Sequence, residues 1–222
     1  MVKKIKVDTI LFDFDSTLLR GELLEILADI QLKNHPLKAT IMNQIKEVTN
    51  LGMEGKIAFS ESLDRRLRLL NLTLQTMDSS LSIIKDKING EYIYAYPKFM
   101  NKNIHIISGG YKNIIDQLSD DLFIAKDNIH AINLFFNGNN FSHFDRQHPL
   151  VEDNGKAKVA KSIRNKGTTV MVGDGVTDYL VKENGGADYF IAYTGIVKRT
   201  AVCDKADMIL ENMNDIANLI EL

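Results

Sequence analysis

The spacing of apolar residues changes twice along this chain. Residues 5–13 form a short, mostly apolar run that is typical of a buried strand. Residues 22 to about 90 show helical spacing throughout, in several amphipathic segments. From about residue 104 onward, the pattern predicts strands at 104–107, 168–172, 189–192 and 208–210, alternating with helices near 111–118, 156–166, 177–184 and 213–221.

This alternation predicts an α/β fold with a Rossmann-like parallel sheet and right-handed crossovers. The helical block predicts a cap inserted after the first strand. We therefore expect a core domain of residues 1–19 and 92–222 and a helical cap domain of residues 20–91. The segment 89–103 has room for only a short helix, so the docking of the cap is left open. An Asn-Gly pair between apolar arms predicts a hairpin within 133–141.

Composition narrows the class of protein. The chain has 222 residues and a formal net charge of −2, which argues against nucleic acid or an anionic membrane as the main partner. No apolar stretch reaches the roughly 18 residues that a membrane span needs. Cys203 is the single cysteine, so the chain forms no internal disulfide and no cysteine metal cluster. Together with a start that lacks a signal-peptide pattern, this predicts a cytoplasmic protein.

Two aspartates follow the first predicted strand directly. Asp13 and Asp15 are one residue apart, so on an extended chain their side chains point the same way. Open α/β sheets bind their ligands at this end of the strands. Two carboxylates this close repel each other, which calls for a cation or a shared proton. The alternative is an ordinary turn.

Three further polar motifs follow predicted strands or begin predicted helices. Ser108, Gly109 and Gly110 combine a hydroxyl with two glycines before a helix, which is typical of an anion site. Lys156 begins a helix after a polar turn. Asp174 lies in a Gly-Asp-Gly turn, and Asp178 follows four residues later. Each motif alone also fits a turn or a solvated side chain.

Together the four motifs supply what phosphoryl transfer requires. Carboxylates bind a hard cation such as Mg²⁺, and backbone donors, a hydroxyl and a lysine bind phosphoryl oxygens. A dinucleotide-binding protein is excluded because no G-x-G-x-x-G follows the first strand. A P-loop NTPase is excluded because G-x-x-x-x-G-K-[ST] is absent.

The four motifs, in this order, resemble those of the haloacid dehalogenase superfamily of phosphatases. The resemblance implies that Asp13 is the nucleophile and that Asp15 protonates the leaving oxygen and then activates water. It implies Mg²⁺ held by Asp13, the Asp15 backbone carbonyl and Asp174. Ser108 and Lys156 would hold the phosphoryl oxygens, and we interpret Asp178 as a supporting residue for Lys156 or the waters of the metal.

Within the superfamily, the chain is most similar to the phosphoserine phosphatase family. By resemblance, the substrate-binding residues in addition to those motifs are Glu22, Met53, Gly55, Phe59, Arg66 and Thr177. Glu22 would meet the substrate ammonium and Arg66 its carboxylate. Glu22 also suits the first turn of a helix through the helix dipole alone. Helical spacing places Arg66 in an apolar stripe, where a guanidinium requires a carboxylate from a neighbour or from a ligand.

These observations predict a Mg²⁺-dependent phosphomonoesterase that converts O-phosphoserine to serine and phosphate through an aspartyl-phosphate. The same chemistry on another small phosphorylated metabolite, or transfer to an acceptor alcohol, is one alternative. A catalytically silent protein that binds phosphoserine or serine is another, and it predicts a missing catalytic carboxylate. The expected partner is a small phosphomonoester, and a homodimer is left open.

Overall fold

The computed structural model describes residues 4–53 and 56–221, except for the side chain of Met53. The strands in these ranges are β1 Ile5–Lys6, β2 Thr9–Phe12, β3 Asn103–Tyr111, β4 Ile129–Ile132, β5 Leu134–Asn137, β6 Asn140–Phe144, β7 Thr169–Gly173, β8 Tyr189–Tyr193, β9 Met208–Leu210 and β10 Ile220–Glu221.

The described helices are α1 Leu23–Gln31, α2 Lys38–Met53, α3 Phe59–Leu70, α4 Leu74–Lys85, α5 Gly90–Ala95, α6 Lys112–Ile115, α7 Ser119–Leu122, α8 Gly155–Ile163, α9 Val176–Glu183, α10 Thr200–Cys203 and α11 Ile216–Leu219. Short 3-10 turns cover Tyr96–Lys98, Asp116–Leu118, Lys126–Asn128, Pro149–Val151 and Met213–Asp215.

The central sheet has six strands in the order β4-β3-β2-β7-β8-β9, and every pair in it is parallel. Strand β2 is buried throughout because β3 and β7 flank it and helices cover both faces. Phe12 at the end of β2 pairs with Ile106 and with Val172. This register places the residues after β2, β3 and β7 side by side at one edge of the sheet. The α/β fold with a parallel sheet is therefore confirmed.

Helices α1 to α4 lie between β2 and α5, where the helical cap was predicted. In α3, Leu63, Leu67 and Leu70 are buried while Arg65 and Arg68 point to solvent, as the helical spacing predicts. Thr73 caps α4 because its hydroxyl accepts a hydrogen bond from the Thr76 amide. The domain boundaries at 19–20 and 91–92 stay a prediction.

The β5–β6 hairpin forms where the Asn-Gly pair predicted it, and it contacts the cap helices. Asn137 pairs with Asn140 across the turn, which Gly138 enters at a positive φ of 57°. The Leu74 amide donates to the Asn139 carbonyl, and the Phe141 amide donates to the Leu72 carbonyl. The hairpin therefore connects the core to the helical block.

Several predicted elements differ from the structure. The predicted strand 5–13 divides into β1, which pairs with β10, and β2, which enters the central sheet. Strand β3 continues through the glycines of the Ser108 motif to Tyr111. Strand β4 was not predicted, and the helix expected at 213–221 is a 3-10 turn, a four-residue helix and β10. The crossover before β3 contains the short helix α5, in agreement with the limited length of that segment.

Among the described residues, no helix combines the length and apolar character needed to cross a bilayer.

Candidate active site

Asp13 lies at the centre of the strand ends because β2 is flanked by β3 and β7. Its amide donates to the Val172 carbonyl at 2.9 Å, which continues the sheet pairing by one residue. Its side chain is buried, with 6% of the residue exposed. The Nζ atom of Lys156 lies 2.6 Å from its Oδ1. A buried carboxylate in contact with an ammonium is thus fixed at the edge of the sheet.

Lys156 comes from the first turn of α8, and the local chain geometry holds it there. Asn154 precedes the helix in the left-handed region, at φ 56°. A Cβ on Gly155 would collide with the backbone of Pro149 and Leu150, so this close approach requires glycine. The Lys156 Nζ donates to Asp13 and also to Asp178 Oδ1, at 2.7 Å. One ammonium is shared by two carboxylates.

Asp174 and Asp178 follow β7 on the other side of Asp13. Asp178 is fully buried, and its Oδ2 accepts a hydrogen bond from the Gly175 amide at 2.9 Å. Both of its oxygens are therefore occupied, by Lys156 and by the backbone. Oxygen atoms of Asp13, Asp174 and Asp178 lie within 4.8 Å of one another. This hard-oxygen donor set fits a divalent cation.

The charges of this cluster are strongly coupled. Burial raises the pKa of Asp13, the charge of Asp178 raises it further, and Lys156 opposes the rise. Burial and Asp178 also raise the pKa of Asp174. For Lys156, burial favours the neutral amine, but attraction to Asp13 and Asp178 and their hydrogen bonds outweigh it and raise its pKa. The lysine stays charged, and the carboxylates retain an excess of negative charge that a cation would stabilise.

Asp15 has a different environment from Asp13. Burial first, and then the charge of Glu22, raise the pKa of Asp15 to about 7, against a lowering hydrogen bond from the Leu23 amide. That amide donates to Asp15 Oδ1 at 2.7 Å, at the start of α1. A carboxyl with this pKa exchanges a proton near neutrality, which is the property of a general acid and base.

Glu22 is the residue before α1, but its side chain does not cap the helix. Its Oε1 accepts a hydrogen bond from the Ser16 hydroxyl at 2.8 Å. The carboxylate is partly exposed on the side of Asp15. The structure thus places Glu22 near Asp15, and its role toward a substrate ammonium stays a prediction.

The Ser108 motif lies on β3, next to Asp13. Ser108 is fully buried, and its Oγ accepts a hydrogen bond from the Gly110 amide at 2.9 Å, which leaves its O–H free to donate. A Cβ on Gly109 would lie 3.6 Å from the Phe59 ring. Phe59, at the start of α3, therefore faces the strand end from the cap.

Arg66 is half-buried on α3, and within the described part of the chain its Nε donates to the Ser62 carbonyl at 3.2 Å while its other nitrogens have no partner. No carboxylate of the described residues forms an ion pair with it, so the alternative of a structural salt bridge finds no support in that part of the chain. Its charge lowers the pKa of Tyr111 at the end of β3, which places Arg66 near the site. Thr177 is exposed on the first turn of α9. The side chain of Met53, and Gly55, lie outside the described residues.

Arg199 is a site residue that the sequence interpretation missed. Its Nε donates to Asp174 Oδ2 at 2.9 Å, and its Nη2 lies 4.0 Å from Glu22 Oε1. The sequence pattern predicts no role for the segment 193–198 just before it. The strand order could have indicated Arg199, because β8 lies next to β7 and a basic residue shortly after β8 can reach the end of β7.

Comparison with known proteins agrees with this geometry. The family model described as haloacid dehalogenase-like hydrolase matches residues 7–181. The chloroplastic phosphoserine phosphatase of Arabidopsis thaliana is 32% identical over 97% of this chain and 72% of its own length. The chain therefore belongs to the haloacid dehalogenase-like hydrolases.

Two solved structures define the likeness further. A phosphoserine phosphohydrolase-like protein from Francisella tularensis has a TM-score of 0.83 and 30% identity, over 96% of this chain and 99% of that one. A phospho-aspartyl intermediate analogue of phosphoserine phosphatase has a TM-score of 0.73 and 25% identity, over 99% of this chain and 100% of that one. Within its family, the chain is a phosphoserine phosphatase-like hydrolase.

Proposed function

We propose that the protein hydrolyses O-phosphoserine to serine and phosphate. The observation that carries the proposal is the Lys156 ammonium between Asp13 and Asp178, with Asp174 and the proton-exchanging Asp15 beside them. This is a set of groups for positioning a phosphoryl group and compensating its charge. The names of the relatives supply the substrate, and the reaction class rests on the site itself.

The proposed reaction has two steps. The Asp13 carboxylate attacks phosphorus, the ester bond to serine breaks, and the Asp15 carboxyl gives its proton to the leaving serine oxygen. The Asp15 carboxylate then takes a proton from water, whose oxygen attacks the phosphorus of the aspartyl-phosphate and releases phosphate and free Asp13. The different environments of Asp13 and Asp15 support this division of roles. A solved relative named as a phospho-aspartyl analogue supports the intermediate.

Mg²⁺ is the proposed metal, held by Asp13, the Asp15 carbonyl and Asp174. When bound, it would offset the negative charge that phosphate brings to the carboxylates and polarise a phosphoryl oxygen. Lys156 provides fixed positive charge in the same place. We assign Asp178 to positioning Lys156, since its Oδ1 accepts from Lys156 Nζ and its Oδ2 from the Gly175 amide.

The proposed substrate contacts divide between the core and the cap. Ser108, Gly109, Gly110, Lys156 and Thr177 would contact the phosphoryl group, and Glu22 would bind the ammonium. Arg66 has guanidinium nitrogens free to bind the carboxylate, and Phe59 would close the pocket above Gly109. Met53 and Gly55 stay predictions from the resemblance. The single, unpaired Cys203 suits a reducing compartment such as the cytoplasm, and a homodimer stays a prediction.

Phosphate release from purified protein with Mg²⁺ tests this function. We expect O-phosphoserine to be hydrolysed with a kcat/KM at least tenfold above those of generic small phosphomonoesters, since only it engages both Glu22 and Arg66. Asp13→Asn should abolish turnover, while the exposed Asp127→Asn should leave it unchanged. Equal rates on generic esters would exclude the serine assignment, and full activity of Asp13→Asn would exclude the nucleophile.

A further inference from the structure

Tyr111 is a buried polar residue at the edge of the candidate site to which no role has been assigned. It is the last residue of β3, three residues after Ser108, and only 3% of it is exposed. Within residues 4–53 and 56–221, its hydroxyl has no hydrogen-bond partner. Buried polar groups usually have a protein partner, so this hydroxyl, which has none there, is available to a molecule in the site.

Three other buried or half-buried tyrosines of this protein, Tyr92, Tyr96 and Tyr193, are paired. The Tyr92 hydroxyl donates to the Leu122 carbonyl at 2.8 Å. The Tyr96 hydroxyl donates to the Phe123 carbonyl at 3.1 Å, and the Tyr193 hydroxyl donates to Glu91 at 3.0 Å. The core thus satisfies its tyrosine hydroxyls with nearby acceptors, whereas the hydroxyl next to the site is left available.

The hydroxyl oxygen of Tyr111 is also partly accessible to solvent. Among the described residues, the unpaired side-chain atoms that are completely enclosed belong to Thr17, His105 and Asn214. The Tyr111 oxygen is unpaired but is not one of them, so its small accessible area includes the hydroxyl. A molecule that enters the site can therefore reach it.

Two charged groups of the candidate site, Arg66 and Asp15, act on Tyr111. Burial raises the pKa of Tyr111, the guanidinium of Arg66 lowers it, and the carboxylate of Asp15 raises it. Tyr111 thus interacts electrostatically with Arg66 of the cap and with Asp15 of the core. Because the phenol stays protonated, it is available as a donor.

We propose that Tyr111 is a specificity-determining residue whose hydroxyl donates a hydrogen bond to the substrate carboxylate that Arg66 binds. The proposal rests on the proposed function. The phosphoryl group already has Lys156, Ser108 and the glycine amides as donors, whereas Arg66 is the single group assigned to the carboxylate. Tyr111 would supply a second donor on the core side, so that the carboxylate is held from both sides of the pocket.

Tyr111→Phe tests this proposal because it removes only the hydroxyl. A hydrogen bond to a charged group contributes about 1.5–3 kcal/mol, so kcat/KM for O-phosphoserine should fall roughly 10- to 100-fold, mainly through a higher KM. Phosphoethanolamine has the ammonium and the phosphate but no carboxylate. Its kcat/KM should change by less than about twofold. Because the free protein loses no hydrogen bond, its urea midpoint should not decrease.

Tyr92→Phe is the matched control, since it removes a paired hydroxyl far from the substrate. It should lower the urea midpoint and leave the ratio of the two kcat/KM values unchanged. Equal losses of Tyr111→Phe on both substrates, or no loss on O-phosphoserine, would overturn the proposal. Failure of the proposed function has a different result, because the wild type itself would then show no preference for O-phosphoserine over phosphoethanolamine.

Discussion

In the proposed function, Lys156 supplies the positive charge that a phosphoryl group meets among several carboxylates. Its ammonium is almost buried and contacts two carboxylates, so it cannot leave without exposing their repulsion. Removing one partner of a buried ion pair typically costs about 3–5 kcal/mol, which fixes the lysine in place. The phosphoryl group therefore meets a positive charge that is already positioned.

The stacked pair of His105 and His130 on β3 and β4 is a second case in which burial shifts the pKa of a titratable side chain. Their nearest ring nitrogens are 3.2 Å apart. Burial first, and then His105, Lys112 and His148, lower the pKa of His130 to about 4, and burial lowers the pKa of His105. Asp145 faces His148 in the same group. A protonated imidazole is therefore disfavoured in the folded state.

This pair predicts a pH dependence of stability. The unfolded chain takes up these protons near pH 6.5, whereas folded His130 takes one up only near pH 4, so stability is lost as the pH falls between these values. The raised pKa values of Asp13, Asp15 and Asp174 act in the opposite direction, so the test compares variants: between about pH 7 and about pH 5 the wild type should lose urea midpoint relative to His130→Asn. The exposed His35→Asn should match the wild type. An equal change in both variants would contradict this account.

Residue identities in the site were predictable where a strand end carried a motif. Asp13, Lys156, Asp174 and Asp178 meet because each follows a strand or begins a helix, and chain order alone indicates this. Arg199 was not predicted because its contact depends on which strands are neighbours. The role of Tyr111 depends on an unpaired hydroxyl, which no sequence pattern contains.

Among the elements, the turn at Asn89 determines how the helical block returns to the core. Asn89 is fully buried, and its amide donates to the Leu18 carbonyl. Its Nδ2 donates to the Thr17 carbonyl at 3.0 Å and to the Tyr193 hydroxyl at 2.9 Å. Its Oδ1 accepts from the Glu91 amide at the start of α5. One side chain thus connects the loop after Asp15, α5 and β8.

We predict that Asn89→Ala lowers the free energy of unfolding by about 3 kcal/mol, because it removes a helix cap and leaves the buried Thr17 carbonyl without this donor. Urea denaturation measures this directly. Asn101→Ala, an exposed position in a turn, should change it by less than about 0.5 kcal/mol. Similar values for the two variants would show that Asn89 is not the connection we describe.

The strands of the core were more predictable than the edges of the sheet. The runs predicted at 168–172, 189–192 and 208–210 correspond to β7, β8 and β9 within about one residue, because buried parallel strands are apolar along their length. Strand β4 was missed because His130 interrupts a run of four residues. Strands β1 and β10 are two residues each, and their pairing depends on contacts between residues 5–6 and 220–221 that no local pattern shows.

At the scale of the whole molecule, the proposed substrate pocket lies between parts that are far apart in sequence. Asp13 and Lys156 belong to the core, and Phe59 and Arg66 belong to α3 in the helical block. The β5–β6 hairpin holds that block from one side, and Asn89 holds it from the other. The sequence predicted that a cap would cover the strand ends, but its contact with the hairpin depends on tertiary packing that the pattern does not contain.

The central claim is that Asp13 becomes phosphorylated while O-phosphoserine is hydrolysed. Acid-quenching the enzyme with Mg²⁺ during turnover, followed by peptide mass spectrometry, measures this most directly. We predict a mass increase of one phosphoryl group on Asp13 during turnover of O-phosphoserine. The increase should be absent when O-phosphoserine is left out. A phosphoryl group on another residue, or turnover with no phosphorylated enzyme at any time point, would contradict the account.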